Sequence, residues 1–298
     1  MIAGWLWIVF TVTAAFFQTL RNAMQRELTT SLGTVGATHV RFLFGFPFAL
    51  LSLIGVLLVT GVPLPRPSLS FWPWVIDGAG AQIAATALML MAMGERSFVV
   101  TIAYIKTEPI QVAIFGLLFL GDAVSLPLMT AILVATAGVI IMSIKPGGMV
   151  GGIRPTIIGL VSGGMFALSA IGYRGAILSL HLPSFVMAAT FTLVVGLVMQ
   201  SIVLSIYMWL RTPSALIAIL HAWKPSLFAG LMGALASQFW FLAFAIATAA
   251  SVRTLALIEV LFAQLVARVM FGQRTTMREA IGMVLVVAGV GLLVFAER

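Results

Sequence analysis

The sequence contains no cysteine and only three histidines, His39, His181 and His221. Without cysteine the chain has no disulfide, no thiolate metal site and no cysteine nucleophile. The histidines stand apart in the sequence and none belongs to an HExxH or similar spacing, so neither a metal nor another cofactor is expected. No loop of the GxxxxGK[ST] type occurs either, which excludes direct coupling to ATP within this chain.

Charge is also scarce. Charged residues make up 8% of the chain, hydrophobic residues make up 62%, and the mean hydropathy is +1.18. A soluble domain carries about 25% charged residues, so this chain cannot cover its surface against water and must have lipid as its solvent. The net charge of +8 does not indicate nucleic-acid binding, because the basic residues are scattered singly among short predicted loops, where they meet lipid headgroups.

What the sequence does contain is a series of long apolar runs. A helix needs about 20 apolar residues to cross the hydrocarbon core, and the first run begins at the N-terminus, MIAGWLWIVF. This stretch has neither a basic n-region nor a small-residue cleavage site, so we expect a spanning helix there and not a removed signal peptide. The sequence predicts ten spanning helices, at residues 3–21, 36–60, 71–93, 97–120, 125–145, 155–175, 183–210, 224–247, 251–271 and 277–296.

The second half of the chain repeats features of the first. A shift of 151 residues aligns Glu108 with Glu259, Gly121 with Gly272, and one AGV triplet with another. The sequence therefore predicts two five-helix repeats, residues 1–147 and 148–298, within one all-α integral membrane domain. Because five is odd, the second repeat crosses the membrane in the opposite direction, which gives inverted repeats around a central cavity and favours transport by alternating access.

The segment YIKTEPIQVAIFGLLFLGD places charge inside an apolar helix. A charged side chain at bilayer depth costs at least ~2.5–3.5 kcal/mol, so Lys106 and Glu108 need partners or water. Helical spacing puts Glu108 on one face and Lys106 on roughly the opposite face, and Pro109 is expected to break the helix. Lys106 could hold a substrate carboxylate, snorkel or, as we favour, form an intramembrane ion pair. The predicted pathway face of this helix consists of Thr101, Tyr104, Glu108 and Gln111.

Polar residues on other predicted helices complete the candidate substrate pathway. Glu259 matches Glu108 in the second repeat, and either carboxylate could instead be a structural group bonded to a neighbouring helix. Amides and hydroxyls also join membrane helices without any role in transport, and Trp240 could stack on a substrate or fill the core. The remaining candidates are Gln18, Gln82, Ser169, Tyr173, Gln238, Trp240 and Gln264.

Three motifs resemble the drug/metabolite transporter superfamily, specifically its ten-helix EamA-type carriers. They are TEPIQVAIFGLLFLGD at 107–122, HVRFLFGFPFALL at 39–51, and a degenerate second copy at 259–273. Within the superfamily the chain looks most like the YddG-type amino-acid exporters. The sequence departs from the family pattern at Asp122, where glutamate is commoner, and at Val260, where the family has proline. The resemblance implies a ten-helix carrier and no enzymatic activity.

The sequence thus predicts a secondary exporter of small amphipathic metabolites, with amino acids, including aromatic and apolar ones, as the first substrate class. The alternatives are a proton-coupled multidrug or cation antiporter and a phosphate-ester or nucleotide-sugar exchanger. Only Lys106 among the cations is clearly deep in a predicted helix, which argues against the exchanger. The expected partners are a small-molecule substrate and membrane lipid, in a bacterial inner membrane, with no nucleic acid, and a monomer is compatible with the sequence.

The orientation in the membrane stays open. Most basic residues, including Arg21, Arg26 and Arg41, are assigned to predicted loops or helix ends on one side, and the opposite side holds fewer, among them Arg174 and Arg253. The positive-inside rule would therefore place both termini outside. The family resemblance implies cytoplasmic termini instead.

Overall fold

The computed structural model describes residues 4–95, 104–143, 153–262, 264 and 276–296. Every regular element among these residues is a helix. The helices are α1 (Leu6–Leu43), α2 (Gly45–Thr60), α3 (Phe71–Glu95), α4 (Glu108–Phe115, followed by a π turn at Gly116–Leu120), α5 (Leu126–Ser143), α6 (Ile153–Ser179), α7 (Phe185–Arg211), α8 (Pro213–His221), α9 (Trp223–Ile246), α10 (Ala249–Leu255, followed by a 3₁₀ turn at Ala256–Ile258) and α11 (Met277–Ala296).

Six described segments are long and apolar enough to cross a membrane. Two further apolar helices, Glu108–Leu120 and Leu126–Met142, are shorter. Large apolar side chains such as Leu58, Phe119 and Phe295 are mostly exposed, as expected where lipid and not water is the surrounding solvent. These lengths and this surface are consistent with an integral membrane protein. The six segments are Leu6–Thr60, Phe71–Gly94, Arg154–Ser179, Phe185–Arg211, Trp223–Ile246 and Met277–Ala296.

The α1 helix reverses direction at Gly33. This residue has φ 66° and ψ 175°, a conformation that is essentially restricted to glycine. Across the reversal, Gln25 Nε2 donates a hydrogen bond of 2.9 Å to the carbonyl of Ala37. In a straight helix residues 12 positions apart would be about 18 Å apart, so the chain must fold back here. The reversal separates two arms, which correspond to the helices that the sequence predicts at 3–21 and 36–60.

Side-chain caps and glycine define several helix ends. Ser184 begins α7, with its hydroxyl accepting from the Met187 amide at 3.3 Å, and Thr248 begins α10 in the same way. Both caps satisfy an amide that the first helical turn leaves without a backbone partner. The α2 helix ends at Gly61, whose φ of 63° is left-handed and needs no Cβ.

Three helix pairs form the largest packing surfaces of the fold: α3 on α6, α1 on α9, and α5 on α11. The α5–α11 contact is close enough to require glycine. A Cβ on Gly138 would lie 2.7 Å from the carbonyl oxygen of Gly282, and one on Gly289 would lie 2.9 Å from that of Ala131. Small residues therefore allow these two backbones to approach, as is common between membrane helices.

The predicted helices agree with the observed ones to within a few residues at α3, α7, α9 and α11. The short helix α8 was not predicted, because Pro213 and the preceding Arg211 resemble a loop in the sequence. The first arm of α1 also continues well beyond residue 21, since Arg21 lies within the helix and does not end it. The predicted helix at 155–175 lies within α6, and the predicted helices at 97–120, 125–145 and 251–271 extend partly outside the described residues.

Candidate functional site

Two helices that carry buried charge are both interrupted. The chain forms a turn at Lys106 and Thr107 before α4 begins at Glu108. Pro109 lies in the first turn of α4, where its missing amide leaves no hydrogen bond unmade. In the other helix, the 3₁₀ turn at Ala256–Ile258 directly precedes Glu259. Each buried glutamate therefore follows a short irregular stretch of backbone.

The Glu259 carboxylate lies at the centre of a buried ion pair and hydrogen-bond network. Lys106 Nζ is 2.6 Å from Glu259 Oε2, and Gln18 Nε2 donates to the same oxygen at 3.0 Å. Asn22 Nδ2 approaches the other oxygen, Oε1, at 3.3 Å. The Glu259 side chain is 5% exposed and that of Lys106 is 6% exposed. One cation and two amides thus neutralise and solvate this carboxylate in place of water.

Glu108 forms a second ion pair, with Arg253. Arg253 Nε is 3.0 Å from Glu108 Oε1, although the N–H is not aimed at the oxygen in hydrogen-bond geometry. The Arg253 guanidinium also lies over two aromatic rings, 4.5 Å from the centroid of Trp240 and 5.3 Å from that of Phe244. Guanidinium groups are attracted to the faces of aromatic rings, so Arg253 is held by one carboxylate and two π systems.

Gln18 connects the two ion pairs. The Trp240 indole Nε1 donates to Gln18 Oε1 at 3.0 Å, while Gln18 Nε2 donates to Glu259. Trp240 in turn lies against Arg253. The amide of Gln18 is therefore fully oriented by an aromatic donor on α9 and by a carboxylate beyond α10.

Two narrow clefts open beside this network. Gln18, Phe166 and Arg253 line both of them, so the clefts adjoin. The freely accessible space in each is enough for about one or two water molecules. The first cleft is lined by Gln18, Arg41, Gln82, Phe166, Ser169, Tyr173, Ser237, Trp240, Phe241, Phe244 and Arg253. The second is lined by Gln18, Arg21, Asn22, Met89, Ile105, Lys106, Glu108, Phe166, Arg253 and Glu259.

Arg21 and Arg41 are buried beside these clefts. Arg21 is 1% exposed and Arg41 is 3% exposed. Arg21 donates through Nε and Nη2 to Asn22 Oδ1, at 3.2 Å and 2.7 Å, whereas Arg41 Nη1 donates to Thr86 Oγ1 at 3.1 Å. Arg21 Nη1 and Arg41 Nε have no hydrogen-bond partner among the described residues. Neither arginine forms an ion pair with a described carboxylate.

A group of neutral side chains forms the far wall of the first cleft. Gln82 Oε1 accepts from Tyr173 Oη at 3.3 Å and from Gln200 Nε2 at 2.9 Å. Gln200 Nε2 also contacts the carbonyl of Ala79 at 3.1 Å. The hydroxyl of Ser169, which lines the cleft, has no partner among the described residues. This wall joins α3, α6 and α7 by side-chain hydrogen bonds.

The structure places some of the predicted site residues at the first cleft, some at the second, and some at neither. Gln18, Gln82, Ser169, Tyr173 and Trp240 line the first cleft, and Lys106, Glu108 and Glu259 line the second together with Gln18. Four others, Tyr104, Gln111, Gln238 and Gln264, line neither cleft. Thr101 lies outside the described residues.

Close packing explains where some of these outlying residues lie. A Cβ on Gly159 would be 2.7 Å from Tyr104 Cβ, and one on Gly164 would be 2.8 Å from Gln111 Oε1. Both side chains are therefore pressed against glycines of α6 and do not share the cleft with Glu108. Gln238 Nε2 instead donates to Thr190 Oγ1 at 2.8 Å.

Three arginines that line the clefts, Arg21, Arg41 and Arg253, are buried although their sequence positions predicted loops or helix ends. On that prediction Lys106 was the only clearly deep cation. That premise was wrong, since all three are at most 6% exposed. Arg21 lies within α1, and Arg41 lies in its last turn, shortly before α2 begins at Gly45.

Comparisons with known proteins support the fold. No family model and no curated protein matches the chain. Among solved structures 27 chains match. One of them, a crystal structure, superposes with a TM-score of 0.72 over 98% of this chain and 97% of its own length, at 14% sequence identity. At this identity the similarity establishes a shared overall fold over the whole chain.

Proposed function

We propose that the protein is a secondary transporter of small amphipathic metabolites, working by alternating access. The observation that carries this proposal is the buried charged network around Glu259 and Glu108, which borders two clefts inside a bundle of apolar helices. Ionisable residues within membrane helices are costly and typically belong to substrate or ion pathways. A protein that served only as a membrane anchor would have no need of them.

The predicted inverted repeat is supported by the positions of the helix interruptions. The turn at Lys106–Thr107 and the 3₁₀ turn at Ala256–Ile258 fall at equivalent positions under the 151-residue shift that relates Glu108 to Glu259. Transporters built from inverted repeats commonly bind substrate at paired discontinuous helices. The interruptions of the backbone therefore repeat at the same 151-residue spacing as the two glutamates.

Helix packing supports the same symmetry. In a ten-helix arrangement the shift relates the first arm of α1 to α6, α3 to α9, and α5 to α11. It thereby converts the α3–α6 contact into the α9–α1 contact. It also relates Gly138 to Gly289 and Ala131 to Gly282, so the two close contacts between α5 and α11 are reciprocal. Such reciprocity is expected when a pseudo-two-fold axis passes between two helices.

The narrow clefts fit a closed conformation of such a carrier. A metabolite needs more space than one or two waters, so transport requires the helices to separate on one side. The ion pairs Lys106–Glu259 and Glu108–Arg253 both join residues from opposite halves of the chain. Rocking of the halves would strain or exchange these contacts, which makes them candidates for the bonds that distinguish the conformations.

A proton-coupled cation antiporter is less well supported. Such a carrier needs a carboxylate that alternates between a proton and a cationic drug. In the part of the chain that the structure describes, both buried glutamates already have cationic partners, so neither is the lone carboxylate that such an exchange requires.

Counterflow in proteoliposomes tests the transport proposal. Purified protein is reconstituted, loaded with an unlabelled panel of amino acids and related metabolites, and supplied with labelled substrate outside. Transient accumulation above protein-free liposomes is expected for at least one member of the panel, with or without a pH gradient. Flat traces for every compound would contradict the proposal.

Two variants separate the metabolite carrier from the cation antiporter. Glu108→Gln should abolish pH-driven drug efflux if the protein is an antiporter, while neutral-metabolite counterflow would persist. Glu27→Gln, at an exposed position in α1, removes the same charge away from the clefts and serves as the matched control. Loss of metabolite counterflow in both variants would indicate a nonspecific effect of charge removal.

A further inference from the structure

The first cleft has an unbalanced charge. Two arginines, Arg41 and Arg253, line it, and no carboxylate of the described residues does. Arg253 is matched by Glu108, which lies 3.0 Å away and lines only the second cleft. Arg41 has no such match among the described residues, where its hydrogen bond goes to the neutral hydroxyl of Thr86. The positive charge of Arg41 therefore stays uncompensated at the wall of this cleft.

Arg21 adds a second buried cation beside the first. It lines the second cleft together with Glu259 and is attracted by that carboxylate, but it forms no ion pair with a described carboxylate. The reversal at Gly33 brings Arg21 and Arg41 together from the two arms of α1. Both aliphatic stems pack on Gly233 of α9, where a Cβ would be 3.3 Å from Arg21 Cδ and 3.3 Å from Arg41 Cγ. In a straight helix, these two residues would be about 30 Å apart. The fold has thus collected two buried arginines at one point.

The region around both clefts shows the same excess of positive charge. The buried cations around the clefts are Arg21, Arg41, Lys106 and Arg253, against the carboxylates Glu108 and Glu259. A buried charge without a partner is costly. Among the described residues Arg41 has no carboxylate partner, Arg21 shares Glu259 with Lys106, and each arginine has an N–H group without a hydrogen-bond partner, Arg21 Nη1 and Arg41 Nε. An anionic ligand would offset the cost and satisfy these donors.

We propose that the first cleft binds the oxyanion group of an organic anion, through Arg41 with Arg21 behind it, and that this anion is the transported substrate. The inference rests on the proposed transport function and specifies its substrate class. Guanidinium groups match carboxylate and phosphate geometry with paired N–H donors. The aromatic side chains of Tyr173, Trp240 and Phe241 line the same cleft and provide an apolar wall for the rest of the molecule.

The missing carboxylate argues against a zwitterion. An amino acid would bring an ammonium group into a cleft that already holds two guanidinium groups and no lining acid. Like charges in a poorly solvated space repel strongly. A compound with the same apolar body and an oxyanion, but without the ammonium, meets no such repulsion. The site therefore favours aromatic or apolar organic anions over the corresponding amino acids.

Three compounds with the same phenylethyl body separate these possibilities. 3-Phenylpropionate carries one negative charge at pH 7.5, phenylalanine carries no net charge, and phenethylamine carries one positive charge. Binding to the wild-type protein in lipid nanodiscs is measured by competition and by the rise in melting temperature. Phenethyl phosphate is included to distinguish a preference for phosphate from a preference for carboxylate. We expect the two anions to bind at least about tenfold more tightly than phenylalanine, and phenethylamine not to bind.

Variants at Arg41 test the assigned residue. Arg41→Gln should weaken binding of 3-phenylpropionate by about tenfold or more, and Arg41→Lys should weaken it less, since the charge remains and the paired donors are lost. Arg211→Gln removes the same charge from an exposed position at the end of α7 and should bind like the wild type. If Arg41→Gln does not fold, the wild-type ligand series and Arg41→Lys still decide the question.

The outcomes distinguish this inference from the transport proposal. Tighter binding of phenylalanine than of either anion, with phenylalanine counterflow, would overturn the anion site and leave a carrier. Anion binding without counterflow of any compound would support the site and contradict transport. Absence of binding by all four compounds would overturn the anion site as drawn.

Discussion

Lys106 Nζ lies 2.6 Å from Glu259 Oε2, although the two residues are 153 positions apart in the sequence. Both side chains are almost fully buried, and both lie at an interruption in an apolar helix. This ion pair joins the two halves of the chain at the wall of the second cleft. It also defines the first prediction, because removing one partner leaves the other as a buried, unpaired charge.

Replacing either partner of this ion pair should destabilise the protein, and the two replacements should differ in size of effect. Glu259→Gln leaves Lys106, Arg21 and Arg253 with one carboxylate fewer, whereas Lys106→Met leaves Glu259 near other cations. We expect Glu259→Gln to lower the free energy of unfolding by about 3 kcal/mol or more, and Lys106→Met to lower it less. The measurement is chemical or thermal unfolding in a fixed detergent, followed by tryptophan fluorescence.

The double variant Lys106→Met/Glu259→Gln gives the coupling between these partners. Its loss of stability should be clearly smaller than the sum of the two single losses, since neither Lys106 nor Glu259 is then left as a charge without its partner. Strictly additive losses would mean that the two side chains do not stabilise each other.

The α5–α11 contact should not accept a methyl group at Gly289. A Cβ there would be 2.7 Å from Ala135 N and 2.7 Å from Ala135 Cβ, so Gly289→Ala must push two backbones apart. We expect a loss of about 1–3 kcal/mol. Gly291→Ala, on the same helix with nothing within 4 Å of its Cβ, is the matched control and should unfold like the wild type. Equal effects of both variants would argue against this helix packing.

Glycine should be needed at position 33 because of its backbone conformation, and not because a larger side chain would clash with neighbouring atoms. Nothing lies within 4 Å of a Cβ at this position, but φ is +66°. Gly33→Ala should therefore cost about 1–3 kcal/mol and loosen the reversal that brings Arg21 to Arg41. Gly80→Ala, in the exposed and regular part of α3, should be neutral or stabilising. A wild-type melting temperature for Gly33→Ala would show that the chain does not turn as described.

Arg174 and Asp122 should contribute unequally to stability. Arg174 donates to Asp122 through Nε and Nη2, at 3.3 Å each, and through Nη1 to the carbonyls of Phe244 and Ala247. Arg174→Met removes the donor for all three acceptors, so we expect it to lower stability by about 2 kcal/mol or more. Asp122→Asn should cost less, because the Asp122 side chain is 16% exposed and the carbonyls keep their donor. The reverse order in melting temperatures would contradict this assignment.

Hydropathy alone identified most of the helices, because a segment that crosses lipid must be apolar along its whole length. It also singled out Lys106, Glu108 and Glu259, since charge inside an apolar run is rare and costly. It could not assign their partners. Lys106 pairs with a residue from the other half of the chain, and no spacing within its own helix encodes that contact.

The burial of Arg21 and Arg41 could not be predicted from the sequence. Both stand at the edges of apolar runs, where a cation ordinarily reaches the lipid headgroups, and local composition favoured that interpretation. Their burial depends on the reversal at Gly33 and on the absence of a side chain at Gly233, which are properties of the packed helices.

The sequence by itself determined that this chain is helical and apolar enough for lipid, and that two glutamates occupy matching positions. The tertiary structure alone decided which cations are buried, which of them lack a carboxylate, and where the clefts lie. The physical reason is that membrane insertion depends on each segment separately, whereas the balance of buried charge depends on side chains that distant segments bring into contact.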